Sequence, residues 1–317
     1  MARRKPAEAQ EPTGWVESPK DVDAITVAMG GNRVMFDSSP FHGYAAEQIR
    51  KGSTGVFPHL AERELFGSFL PSFMQYRGTC VGQATARAIQ DSYFYSLRTR
   101  GLIGRLTQVA VAPLYGFGRI DIGKGRIKGD GCVGAWAIYG AVKIGPVARK
   151  KIGQYDLSKQ NGDENYAVAW GNNGVPQEVK QAAEGELVAY RCKSADDIAD
   201  AAWAGFGLQF CGRYTYSSKD ANGIARLNKP SNHCTEALGA CLSVGGNILI
   251  GGQQSWGNKT PAGPDVLTYK GGKVDMRPGQ SFVPVEDYYN VARQSGEIWA
   301  IQVKLGFRPK DASELVT

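Results

Sequence analysis

The stretch Gln75-Tyr-Arg-Gly-Thr-Cys-Val-Gly-Gln83 decides how this chain is read, because it is a turn that runs straight into a long helical pattern. From Val81 to Arg100 there is no proline, and the only glycine is Gly82. Val81, Ala84, Ala88, Ile89 and Tyr93 recur near the helical period, and Gly101 closes the predicted helix. Cys80 therefore falls at or just before the first helical turn, where unpaired backbone N–H groups and the helix dipole favour a negative charge. That placement lowers a thiol's pKa and makes a thiolate nucleophile chemically reasonable. A buried structural cysteine is the competing reading, and only the rest of the chain decides between them.

Working outward, 317 residues suffice for one large domain or two modest ones with a substantial core. Hydrophobic residues at 42% and charged residues at 21% describe an ordinary globular composition, and no apolar run approaches a membrane span. Met-Ala-Arg-Arg-Lys is followed by Pro-Ala-Glu-Ala-Gln rather than an apolar stretch, so no secretory signal is expected. The implied location is cytoplasmic or virion-associated. Six scattered cysteines (Cys80, Cys132, Cys192, Cys211, Cys234, Cys241) contain no CxxC pair. Free thiols are expected, with no disulfide, no metal site and no cofactor. The net charge of +7 reads as a solvated basic face rather than a nucleic-acid surface.

Residues 1–23 are polar, with Trp15 and Val16 as their only sizeable apolar anchors, and are expected to order only against a partner. Residues 24–68 read as a lead-in, a candidate pro-segment, with short helices at Tyr44–Ile49 and Leu60–Phe66. The main domain is placed at 69–306 and a tail at 307–317. Within the domain, Gly123-Lys-Gly-Arg-Ile-Lys-Gly-Asp-Gly131 matches neither a P-loop nor a dinucleotide fingerprint and reads as a surface loop. Cys132–Ile144 is a second helix ended by Gly145-Pro146, and residues 153–175 look like loop. Ser194 caps a helix. Strands are expected at Leu208–Tyr216, Thr235–Val244, Asn247–Gln253, Asp265–Tyr269 and Glu297–Val303. A helical first half and a stranded second half predict an α+β fold of two lobes.

His233, in Ser231-Asn-His-Cys-Thr-Glu236, opens one strand, and Gly252-Gln-Gln-Ser-Trp-Gly257 closes its hairpin partner. A cysteine at a helix start, a strand histidine and an amide before Ser-Trp-Gly follow in that order. In this order the chain resembles the papain-like cysteine peptidases. Gly78-Thr-Cys-Val-Gly-Gln-Ala84 is similar to the nucleophile segment, Asn232-His233 to the histidine strand, and Gln254-Ser-Trp-Gly257 to that family's Asn-Ser-Trp-Gly. The resemblance implies a helical lobe carrying Cys80 and a barrel-like lobe carrying His233, with peptide between them. It implies Cys80 and His233 as the catalytic pair, Gln254 as the amide that orients the imidazole, and Gln75 as the oxyanion donor. Gly129, Gly131, Asn232 and Trp256 become candidates for the substrate cleft. Two positions depart from the family: Gln254 stands for asparagine, and Met74 occupies the oxyanion glutamine's place. Arg77 stands where the family has a disulfide cysteine. The expected partner is a peptide or protein substrate, with no membrane, and the arm offers a contact for assembly. The competing reading is a papain-fold structural subunit, such as one in a phage virion.

Overall fold

A computed structural model describes residues 14–75, 77–99, 108–255 and 261–304. Its centre is helix α4 (Cys80–Thr99), on which every residue from Cys80 to Ser92 is buried. The helical half comprises α5 (Val111–Gly116), a π turn at Phe117–Ile122, α6 (Gly134–Ile144), α7 (Gln160–Asn173) and α8 (Gln177–Gln181). Their apolar side chains, with Cys80, Trp136 and Trp170, form one core.

The other half is a seven-stranded antiparallel sheet. Its path runs β10 (Gln280–Pro284), β7 (Ile248–Gln253), β6 (Leu227–Leu242), β5 (Gly207–Tyr216), β11 (Glu297–Val303) and β4 (Leu187–Arg191). β1 (Gly55–Val56) is added on β6 opposite Cys241 and Ala240. Helices α9 (Ala195–Trp203) and α10 (Val285–Ser295) cover one face around Phe206, Phe210, Tyr214 and Tyr288. The other face meets α4. There Gly207 lies so close to the helix that a Cβ would come within 2.0 Å of the Ala88 carbonyl oxygen, and Gln209 Nε2 donates to Thr85 Oγ1 at 2.7 Å.

Polar groups tie the halves together. Arg277 is fully buried and pairs with Asp91 at 2.5 Å, Glu236 at 2.6 Å and Glu62 at 3.3 Å. Arg87 adds contacts to Glu62 at 2.7 Å and Asp91 at 3.2 Å. Three carboxylates and two guanidinium groups thus join α3 (His59–Phe66), α4, β6 and the approach to β10. Buried charges persist only when paired in this way.

Four expectations need correction. Residues 153–175 are not loop throughout, since α7 occupies most of the segment. Its buried face carries Asp163 and Glu164 beside Ala167 and Trp170, so the amphipathic pattern is inverted at those positions. Asp163 accepts from the Val111 and Ala112 N–H groups at 2.7 and 2.8 Å, capping α5 from outside. His233 lies inside β6 rather than at its start, because β6 pairs with β5 back to Leu227 across a bulge at Arg213/Thr215. A disulfide joins Cys211 to Cys234, where free thiols were expected. The two are 23 residues apart, and only the β5–β6 register sets them directly opposite.

The last correction concerns the arm. Residues 14–23 pack on their own chain, with Trp15 buried and α1 (Pro19–Met29) running across the 23/24 boundary. Backbone pairing supplies what two apolar anchors could not. The Cys132 N–H donates to Gly14 O at 2.8 Å, and the Val16 N–H donates to Cys132 O at 3.0 Å. Residues 1–13 and the tail 307–317 lie outside the described residues.

Candidate active site

Cys80 is the first residue of α4, as the sequence placed it. The backbone N–H groups of Cys80 and Val81 face its sulfur, as a helix start requires, together with those of Cys234 and Gly14. All four favour the thiolate. Burial nonetheless outweighs them, and the thiol is pushed up to about 12. The low thiol pKa expected from the helix start is therefore absent here, because the side chain is sealed from water.

The seal is the segment Gly14–Val16. Gly14 packs flat on Gly78, where any Cβ would lie 1.9 Å from the carbonyl oxygen. Its backbone then reaches the Cys80 sulfur, and Trp15 forms a parallel bridge with Cys132. Gly131, at φ +110°, passes beneath Val16 and Gly14; its N–H is held by the Tyr115 hydroxyl at 2.8 Å. Gly129 stands in open space on the exposed loop. Of the two candidate cleft glycines, only Gly131 touches the strap.

His233 is fully buried, and burial lowers its pKa to about 3, so its imidazole is neutral at neutral pH. It pairs in register with Gly212, and its ring lies 6.2 Å from that of Tyr214. The next residue, Cys234, is the one whose backbone meets the Cys80 sulfur. Strand alternation puts Cys234 and His233 on opposite faces of β6. His59, the other buried histidine, is committed elsewhere, with Nε2 against Asp275 O at 3.0 Å. Asn232 is exposed, and its Oδ1 accepts from Arg213 Nε at 3.3 Å.

Gln75 and the end of β7 are stitched together. The Gln75 N–H donates to Ser255 O at 2.8 Å, the Ser255 hydroxyl donates to Gln75 Oε1, and Gln75 Nε2 donates to Arg77 O at 3.2 Å. Gln254 is buried beside them. The β6–β7 register sets Gln253 opposite Glu236, and Gln254 follows it into a small cavity shared with Gln83, Arg87, Cys234 and Thr235. Glu236, raised to about 8 by burial, lies on the cavity wall. Trp256 lies outside the described residues.

Two features of this region escaped the sequence reading. One is the strap, whose residues looked too polar to dock. The other is Glu297, buried at 3% exposure between the lobes. Its oxygens accept from the Gly134 and Ala135 N–H groups, each at 2.8 Å, from Trp15 Nε1 at 3.2 Å and from Trp299 Nε1 at 3.0 Å. The signal for it was present as a glutamate at the head of a mostly apolar strand, Glu297–Val303. Among the described residues, no group of side chains could hold a metal ion and no helix is long and apolar enough to cross a membrane.

No protein-family model and no curated protein sequence matches the chain. Solved structures do. Xylellain, a cysteine protease from Xylella fastidiosa, superposes over 95% of this chain and 100% of its own, at 15% identity and a TM-score of 0.54. The cysteine protease and lectin-like domains of Cwp84 from Clostridium difficile align over 86% of this chain and 61% of theirs, at 16% identity and 0.49. Bromelain from Ananas comosus, solved with the E64 inhibitor, aligns over 80% of this chain and 100% of its own, at 12% and 0.44. With the first superposition and the α4-against-sheet architecture, the chain has the two-lobed α+β fold of the papain-like cysteine proteases.

Proposed function

We propose that the chain is a thiol peptidase whose nucleophile is Cys80. The observation that carries this reading is the Cys80 sulfur itself: it stands at the start of a buried helix and against the backbone of the residue that follows His233. In the proposed reaction His233 takes the thiol proton, the thiolate attacks the peptide carbonyl, and the imidazolium returns its proton to the leaving amine. Gln254 orients the imidazole, and the Gln75 amide with the Cys80 N–H receives the developing oxyanion. With Gly14–Val16 in place, thiol and imidazole are both neutral, so the sealed form is a resting state. Lifting the strap readmits water and lets the ion pair form. The substrate is a peptide or protein segment laid where the strap now runs.

The test is covalent labelling. In the unsealed variant Gly14→Ala a cysteine-directed epoxide should modify Cys80 ahead of Cys132, Cys192 and Cys241, and adding Cys80→Ala should abolish that variant's hydrolysis of an unfolded protein substrate. Modification of the other thiols first, with Cys80 untouched, would refute the assignment. The sealed thiol, with Gln254 and Met74 at the two amide positions, favours a second reading: a papain-fold binding or structural subunit, as in a phage virion, assembling through its N-terminal arm. That reading predicts a labelled Cys80 with no turnover.

A further inference from the structure

Gln83 and Arg87, one turn apart on α4, share a small cavity with Glu236 of β6 and with Gln253 and Gln254 at the end of β7. Its walls hold more hydrogen-bonding capacity than they use. Gln83 Oε1, Glu236 Oε1, Gln253 Oε1 and Gln254 Oε1 have no partner among the described residues, nor do Gln83 Nε2 and Arg87 Nη1. All five side chains are buried, at 1% to 6% exposure. Four acceptor oxygens therefore face two donor nitrogens, and a buried acceptor left unmatched is costly. Gln253 cannot correct this by turning its amide, because its Nε2 donates to Pro278 O at 2.8 Å. The charges are unbalanced in the same sense. Glu236 Oε2 accepts from Arg277 at 2.6 Å, and Asp91 and Arg87 of α4 and Glu62 of α3 complete a group of three carboxylates and two guanidinium groups. The other titratable neighbours are neutral: His59 of α3 is lowered to about 3, and burial raises Tyr216 of β5 and Tyr288 of α10. One proton makes the group neutral, and burial, with the Asp91 carboxylate beside it, raises Glu236 so that it takes that proton.

We propose that this cavity binds one water and that Glu236, as a neutral carboxylic acid, donates through it to the Gln254 amide oxygen, which makes Glu236 a positioning residue for that amide. The cavity offers a water about 10 Å³, the space that one molecule needs. Such a water accepts from Glu236 Oε1–H and Arg87 Nη1–H and donates to Gln253 Oε1 and Gln254 Oε1. An ionised Glu236 would instead compete with both glutamines for the two water protons. The bridge itself stands on the cavity and its polar atoms. Its use, holding Gln254 against the imidazole, rests on the peptidase reading.

Carbon-13 at the glutamate side-chain carboxyls reads the proton in the full-length chain. One resonance, retained in Glu297→Gln, should titrate near pH 8. If every such resonance is that of an ionised carboxylate by pH 6, the proposal is overturned. A double-mutant cycle reads the link to Gln254. Glu236→Ala leaves two carboxylates for two guanidinium groups, so the charge cluster stays balanced. In chemical denaturation at pH 7, the losses in folding constant from Glu236→Ala and Gln254→Ala should multiply to about tenfold more than the loss in the double variant, since either change disables the same bridge. Losses that simply multiply overturn the proposal. Glu236→Met, which fills the side-chain space, serves the cycle if the alanine variant does not fold. In the unsealed Gly14→Ala chain, Glu236→Ala should lower kcat about tenfold at unchanged KM, and Glu236→Gln, which keeps a donor at that atom, should restore it. No hydrolysis in that chain, with the titration and the cycle as expected, would remove the peptidase reading and leave the bridge. Hydrolysis with losses that simply multiply would do the reverse.

Discussion

Replacing Gly14 by alanine should unseal Cys80 without touching the thiol itself. An alanine Cβ there would lie 1.9 Å from the Gly78 carbonyl oxygen, 2.2 Å from its carbon and 2.5 Å from its Cα. Every one of these atoms is backbone, in the turn that leads into α4, so no side chain can swing away to make room. The strap must instead move off, breaking the two backbone bonds to Cys132 and the indole bond to Glu297. The size of the effect follows from the thiol. At about 12, the sealed Cys80 is thiolate in only about one molecule in ten thousand at pH 8, against about one in ten for a thiol at the ordinary value of 9.0. Alkylation at pH 8 should therefore accelerate by up to about 10³ in Gly14→Ala. Iodoacetamide labelling read by mass spectrometry gives the rate. Cys132, Cys192 and Cys241 act as internal references, since all three are buried and pushed up by burial. If Cys80 reacts in the variant no faster than Cys192, the account of the strap as the seal is wrong.

Gly207→Ala should destabilise the whole domain by at least about 1–3 kcal/mol in chemical denaturation, because its Cβ would meet the Ala88 carbonyl oxygen at 2.0 Å and force α4 off the sheet. Arg277→Ala leaves Glu62, Asp91 and Glu236 buried without their shared guanidinium and should cost about 3–5 kcal/mol; a loss under 1 kcal/mol would contradict the pairing. For His233, the folded pKa of about 3 lies below the ordinary 6.5, so between those values the unfolded chain binds a proton that the folded chain refuses. Stability contributed by the neutral ring is then full above pH 6.5 and falls, as pH drops toward 3, by about 1.4 kcal/mol per unit. Subtracting the pH profile of His233→Gln from that of the native chain isolates this slope, and a flat difference would refute the burial of the imidazole.

How much of this was legible in the sequence varied with the kind of interaction. The α4 helix, its start at Cys80 and the two-lobed α+β class follow from local periodicity and a cap-free turn, and the structure carries all three. The hairpin of β6 and β7 was also readable from the adjacent apolar runs Thr235–Val244 and Asn247–Gln253. What escaped was set by contacts distant in the chain. The α7 helix hid because Asp163 and Glu164 point inward to cap and to pair, which inverts the usual rule that polar residues face water. Cys211 and Cys234 form a disulfide only because a particular register opposes them. The polarity of residues 14–23 argued for a free arm, whereas main-chain bonds, one indole N–H and ion pairs from Asp21 and Asp23 to Arg126 and Arg191 hold them, and composition does not record such pairings. The position of Cys80 was readable; its protonation was not, since that depends on what lies on top of it.

The buried charge cluster limits what could be trimmed from this molecule. Glu62 belongs to α3, within residues 24–68, yet it neutralises Arg87 on α4 and Arg277 beside β10. β1, from the same segment, is a strand of the central sheet, and Asp200 on α9 receives the Gly43 and Ala45 N–H groups at 2.6 and 2.8 Å. A maturation cut that discarded residues 24–68 would therefore leave two interior guanidinium groups short of counter-charge and one sheet edge bare. A cut just after Val16 would release only the strap. If the molecule is switched on by proteolysis, the scissile bond should lie between Val16 and Pro19, before the first residue that the core cannot spare.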